Sequence, residues 1–129
     1  MNVRELLGQD RFAKLLGIEL LEVSNGKAKS KMEIRDEHLN GVNIAQGGVI
    51  FTLADFTLAA AANSYGSVAL VINVSASFVK AAEKGVLFAE AIESSKNIKT
   101  ATYNVNVTNE QGELIAEFHG MVYVKKGSF

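Results

Sequence analysis

The stretch from Gly47 to Asn63 limits the possible folds of this chain more than any other. From Val49 to Ala62 its only charged residue is Asp55. Val49, Ile50, Phe51, Leu53, Phe56 and Leu58 occupy all sides of a helical wheel, so the pattern predicts a helix buried nearly all round. The run is too short for a membrane span and holds a carboxylate near its middle. At about 1.5 Å per residue it would extend about 25 Å, enough to cross a small sheet. The alanines from Ala59 to Ala62 would let another backbone come close. With 129 residues, the chain has material for one core around such a helix.

Strands supply that surround. Before the helix, Val3 to Leu16 fits one or two short helical pieces interrupted around Gly8. Ile18 to Val23 and Lys27 to Ile34 read as a hairpin about the turn Asn25-Gly26. Asp36 to Gln46 is polar and glycine-containing, and reads as a loop. Past Gly66 the period changes to two. Leu70, Ile72, Val74, Ala76 and Phe78 alternate with Val71, Asn73, Ser75 and Ser77. Val86 to Ile92, then Thr100 to Val107, then Leu114 to Val124 follow, with turns at Ala82–Gly85, Ser95–Asn97 and Asn109–Gly112. Short turns between consecutive strands imply an antiparallel sheet with one buried face. The expectation is a single α+β domain over residues 1–129, one buried helix against about six strands.

Composition enters by exclusion. The net charge of −1 and pI of about 6.1 offer no nucleic-acid groove and no attraction to an anionic membrane. The chain has no cysteine, which removes disulfides, thiolate metal sites and a cysteine nucleophile together. His38 and His119 are far apart in sequence and supply only part of any metal site, so no metal is expected. The first ten residues hold no long apolar run and no small-residue cleavage site, which makes the cytoplasm the expected compartment. Two glycosylation-like triplets, at Asn73 and Asn106, are discounted because both fall in expected strands.

Two features point to chemistry. An aspartate inside an apolar helix is costly to bury without partners. Asp55 either lies at a helix edge, touching solvent or bonded to Thr52 one turn earlier, or is a carboxylate held at a subunit interface as base or nucleophile. Gln46-Gly47-Gly48 lies where the helix should begin. There, free N–H groups and the helix dipole favour an oxyanion, and glycine lets a ligand carbonyl approach. Together they suggest acyl transfer. Eight residues along one helix span about 12 Å, so the two features can meet on one thioester only if they come from different subunits.

The run from Leu39 to Asp55 (Leu-Asn-Gly, five residues, Gly-Gly, two residues, Phe, a hydroxyl residue, Leu-Ala-Asp) resembles the signature of the PaaI-like branch of hotdog-fold acyl-CoA thioesterases. The resemblance covers about Leu15 to Val124. It implies a long helix wrapped by a curved antiparallel sheet, a dimer joined through a continuous sheet, and often a homotetramer made as a dimer of dimers. It also implies an acyl-CoA substrate and no cofactor beyond the coenzyme A of that substrate. Asp55 matches the carboxylate that acts on water or on the thioester carbon, Gly47 and Gly48 the backbone donors to the carbonyl, and Asn40 an amide near the attacking group. Gln46 stands where the family usually has histidine. Glutamine can orient a group but takes up no proton at neutral pH. Ala59 replaces a threonine found in some relatives, and Ala81 a proline.

Weaker candidates each have an ordinary reading beside the functional one. Asn73, Ser75 and Ser77 share a strand face that is either near the site or simply polar. Lys80, Lys84, Lys96 and Lys99 are turn lysines that can meet coenzyme A phosphates or water. Phe51, Phe56, Leu58 and Tyr65 line an acyl pocket or belong to the core. His38 reads as a loop residue and His119 as a polar-face strand residue. No Gly-x-Ser-x-Gly elbow, Walker, dinucleotide or zinc-protease motif occurs. The alternatives to a thioesterase are a non-catalytic acyl-CoA-binding protein, which Gln46 allows, and an acyl-thioester hydratase or dehydratase, for which no histidine is well placed.

Overall fold

The computed structural model describes residues 1–129. Two short helices open the chain. In α1 (Val3–Leu7) the Asn2 side chain accepts from Glu5 N–H at 2.9 Å, and in α2 (Arg11–Leu16) Asp10 accepts from Ala13 N–H at 2.9 Å. Gly17, at φ +79°, ends α2 in the left-handed conformation. A hairpin follows, β1 (Glu19–Ser24) and β2 (Lys27–Glu33), around Asn25 and Gly26, both at positive φ. Next comes α3 (Gly47–Ala62), closed by a 3-10 turn (Asn63–Tyr65). The strands β3 (Ala69–Phe78), β4 (Val86–Lys96), β5 (Thr100–Thr108) and β6 (Leu114–Val124) complete the chain. All six strands form one antiparallel sheet in the order β1-β2-β4-β5-β6-β3.

The helix lies against one face of this sheet. Ile50, Leu53, Ala54, Leu58 and Ala61 of α3 are buried with Met32, Leu87, Ala89, Ala91, Val105, Val107 and Val122 of the strands. Burying a leucine such as Leu53 fully is worth about 1.5–3 kcal/mol. Small residues set the separation of the layers: a side chain at Gly120 on β6 would run into Leu58. Thr57, fully buried, donates to the Leu53 carbonyl at 2.7 Å and shares a hydrogen bond with Ser30 of β2. No helix is long and apolar enough to cross a membrane.

Four expectations need correction. First, α3 is not covered all round. Gly48 and Phe51 are exposed and Gly47, Thr52, Asp55 and Ala59 half-buried, a strip at helical spacing that nothing else in the chain covers. Second, the alternation assigned to β3 breaks at a bulge between Val71 and Asn73. Val74, Ala76 and Phe78 share the inner face with their β6 partners Gly120, Phe118 and Ala116, but Leu70 pairs with Tyr123 on the outer face. Leu70 and Ile72 are 50% and 57% exposed. Third, β4 continues to Lys96 instead of stopping at Ile92, and its turn falls at residues 97–99. Fourth, the segment before α3 is ordered by its own hydrogen bonds. A 3-10 turn (Asp36–His38) leads into a small hairpin in which Leu39 bridges Ala45 and Asn40 N–H donates to the Ile44 carbonyl at 2.8 Å. His38, expected as a loop residue, is buried at its base.

Candidate active site

The hairpin of residues 38–46 and the start of α3 form one half of the site. Gln46, the N-cap residue, has extended backbone (ψ 141°) and makes no side-chain cap hydrogen bond. Gly47 and Gly48 begin the helix, where no preceding turn offers a carbonyl, and neither N–H has a partner in the chain. The glycines leave the helix start uncovered by any side chain of their own. A Cβ at Gly47 would touch the Phe78 ring at 3.4 Å, and one at Gly48 would stand 3.0 Å from Gln46 Oε1. A hollow of about 270 Å³ adjoins them, lined by Asn40, Ile44, Gly47, Ile50, Phe78 and Lys80 among others.

Asn40 is less free than expected. Its Oδ1 accepts from Val42 N–H at 3.0 Å and Ile44 N–H at 3.3 Å, holding the hairpin turn in which Asn43 takes φ +63°. Only its Nδ2 is left to face a ligand.

Asp55 forms the other half. It lies two turns further along α3 on the uncovered strip, and its carboxylate has no hydrogen-bond partner in the chain. Thr52, one turn earlier, donates to the Gly48 carbonyl at 2.8 Å and leaves Asp55 alone. Partial burial, and to a lesser degree the charge of Asp10, raise the Asp55 carboxyl above the ordinary aspartate value. Asn40 and Gly47 thus line one hollow, with Gln46 and Gly48 on either side of Gly47 in the chain, whereas Asp55 stands apart by about 12 Å of helix.

An aromatic group that the sequence pattern did not single out flanks the first half. Phe118, on the inner face of β6, packs edge-to-face with Phe78 (5.9 Å between centroids) and Phe51 (5.8 Å). The inward alternation of β6 and the proximity of β3 to the helix start are the signals that could have found it. Of the four candidates for an acyl pocket, only Phe51 lies here. Phe56 and Leu58 are core, and the Tyr65 hydroxyl, at the far end of α3, donates to Glu93 Oε1 at 3.0 Å.

The remaining candidates separate by position. Ser75 and Ser77 are on the outer face of the sheet with Asn104, Glu117 and His119, away from α3, and His119 Nδ1 is 2.8 Å from Asn104 Oδ1. Asn73 faces outward with them, opposite Met121. Lys80 pairs with Glu113, and Lys96 stacks on the Tyr65 ring. Lys84 and Lys99 stay exposed in their turns. No three metal-binding side chains cluster anywhere in the chain.

Comparison with known proteins agrees with this architecture. Residues 42–116, more than half of the chain, match the model of the Thioesterase superfamily. A "Putative esterase" of Archaeoglobus fulgidus is 46% identical over 88% of this chain and 75% of its own length. The "Acyl-coenzyme A thioesterase PaaI" of Escherichia coli is 31% identical over 92% of this chain and 86% of its own length. The solved structure of the E. coli PaaI protein from the phenylacetic acid degradation operon superimposes with a TM-score of 0.95, covering 98% of this chain and 93% of that one at 29% identity. With its helix laid across a six-stranded antiparallel sheet and its match from hairpin to β6, the chain belongs to the thioesterase superfamily, in the PaaI-like branch of the hotdog fold.

Proposed function

We propose that the protein is an acyl-CoA thioesterase whose site is shared between two subunits. What carries the reading is the uncovered strip of α3. At one end it offers two backbone N–H groups without partners and, eight residues on, a carboxylate without a partner. Gly48 is exposed and Gly47 and Asp55 are only half-buried, so these groups stay open to a ligand or to another chain. A second copy of α3 running antiparallel would bring Asp55 of one protomer to the Gly47 end of the other.

In that arrangement the Gly47 and Gly48 N–H groups polarise the thioester carbonyl and hold the oxyanion that forms when the carbon is attacked. Asp55 takes a proton from the attacking water, or attacks the carbon itself to give an anhydride that water then opens. Either way the carbon–sulfur bond breaks and the products are the free acid and coenzyme A. The raised affinity of Asp55 for a proton suits a general base. Gln46, beside Gly48, orients the reacting group without titrating, and Asn40 contributes its Nδ2. No cofactor is required beyond the coenzyme A carried by the substrate.

The edge strand β3 supports the dimer. It is ten residues long, unpaired on its outer side, and carries exposed Leu70 and Ile72. Such an edge invites pairing, and a two-fold axis through it makes a continuous sheet. Pairs of dimers are a further step of the same reading.

The test is release of free thiol from a panel of acyl-CoAs by the purified protein. Thiol release proportional to enzyme supports the hydrolase. Binding without release would make the protein an acyl-CoA-binding module, and loss of double-bond absorbance without thiol would make it a hydratase.

A further inference from the structure

His38 has no part in the chemistry above, yet it is 1% exposed at the base of the hairpin that carries Asn40 and Gln46. Three hydrogen bonds fix it. Its ring Nδ1 accepts from Arg35 N–H at 3.0 Å, its own N–H donates to the Arg35 carbonyl at 2.9 Å, and its carbonyl accepts from Gln46 N–H at 2.9 Å. One residue thus ties the point where the chain leaves β2 to the point where α3 begins. Nε2 is buried, with the Leu16 carbonyl of α2 towards the ring but not in good hydrogen-bond geometry.

Because Nδ1 accepts a main-chain N–H, the ring is neutral and its proton sits on Nε2. A second proton would set an N–H against the Arg35 N–H and place a charge in a site closed to solvent. We propose that neutral His38 is a positioning residue that holds the 38–46 hairpin closed, and with it Asn40, Gln46 and the Gly47 N–H. The proposal rests on the shared-site reading for its effect on turnover but not for its effect on the hairpin.

Burial and then the Arg35 charge lower the affinity of the ring for a proton, against the opposite pull of Glu37 and of the Leu16 carbonyl. Arg35 and Glu37 are the charged groups acting on it. From α2 it is faced by the Leu16 carbonyl, and the segment after β3 reaches the hairpin through the Ala82 carbonyl, which accepts from Ala45 N–H. Acidification therefore has two separate effects on the site: it protonates Asp55 and it opens the His38 latch.

Two variants separate these effects. His38→Asn keeps an acceptor near the Nδ1 position but cannot be protonated; His38→Leu removes the acceptor. In the wild type, log kcat/KM against pH should steepen towards a slope of 2 at the acid end, where two groups must both lose a proton. In His38→Asn the slope should stay at 1 with turnover retained at alkaline pH. His38→Leu should lose about 10- to 100-fold in kcat/KM at every pH, the scale of a reacting group misplaced by about 1 Å. An unchanged acid limb in His38→Asn, or wild-type kcat/KM in His38→Leu, would overturn the proposal.

If the wild type hydrolyses no thioester, the shared-site reading fails, and hydrogen exchange still tests the latch. Protection of the Arg35 and Gln46 amides should fall as the His38 ring titrates in the wild type and persist in His38→Asn. Equal loss in both proteins, or none in the wild type, would contradict it, and neither observation requires His38→Leu to fold.

Discussion

The side chains of Asn63, Ser64 and Tyr65, which close α3 at its C-terminal end, all have hydrogen-bond partners; at the other end the Gln46 side chain and the Gly47 and Gly48 N–H groups have none. Asn63 alone donates to the Ala59 carbonyl at 2.8 Å and the Ala69 carbonyl at 3.1 Å, and accepts from Ala69 N–H at 3.0 Å. Ser64 Oγ donates to the Ala61 carbonyl at 2.6 Å and accepts from Gly26 N–H at 2.8 Å, which fastens the β1–β2 turn to the helix. One helix thus has a saturated end that holds the fold and an unsaturated end that is open to a ligand. Departure from local consistency at one end only is what a functional site looks like.

The largest expected effect belongs to the open side of the helix. Asp55→Asn is nearly isosteric but can act neither as base nor as nucleophile, so kcat should fall at least about 100-fold in the thiol-release assay. Its melting temperature should not fall. A variant with full kcat would remove Asp55 from the mechanism.

At the closed end the sign reverses. Asn63→Ala strips buried backbone groups of their partners and should cost about 2 kcal/mol of stability, read by chemical denaturation. Turnover per folded molecule should hold. If Asn63→Ala lowered kcat as deeply as Asp55→Asn, the division between the two ends would be wrong.

Gln46 should have a smaller effect. Gln46→Ala removes a neutral amide and should slow turnover without moving the acid limb of kcat/KM, which should lie above the usual aspartate range because of the environment of Asp55. Gln46→His should add an ionisation near pH ~6.5 if the ring touches the reacting group. Superimposable profiles at equal rates would place position 46 outside the chemistry.

The smallest effect is on stability against pH. Folding raises the Asp55 carboxyl above its unfolded value, so the folded state favours the protonated form. The wild type should therefore lose stability relative to Asp55→Asn as pH rises through that interval, and the two should converge below about pH 4, the unfolded value. Thermal melts of both proteins across pH will show whether the gap opens upwards or downwards.

Much of this contrast could be read from the residues. An isolated aspartate in an apolar helix and a Gly-Gly pair at its start are visible in any linear reading, and their separation along the helix already demanded two chains. The closed end was less visible, because nothing in the linear order of Asn63 and Ser64 shows that Ala69 and Gly26 are brought to them. Three further features left no linear signal. The bulge at Ile72 turns Leu70 outward, although its alternation reads as perfect. His38 reads only as a loop residue, because the residues that bury it come from elsewhere in the chain. The acceptor of Asn40 is used within its own hairpin, where the family signature implies a role facing the ligand.

The claim on which the rest depends is that each site needs two protomers, and subunit mixing tests it directly. Asp55→Asn lacks the carboxylate. Gly47→Pro lacks a helix-start N–H at a position where proline is tolerated, because Gln46 before it is already extended. Each protein alone should be nearly inactive. After equal mixing with demonstrated exchange, half of the dimers are hybrids with one intact site in two, so about a quarter of wild-type activity should return. No recovery in a population of proven hybrids would contradict the shared site.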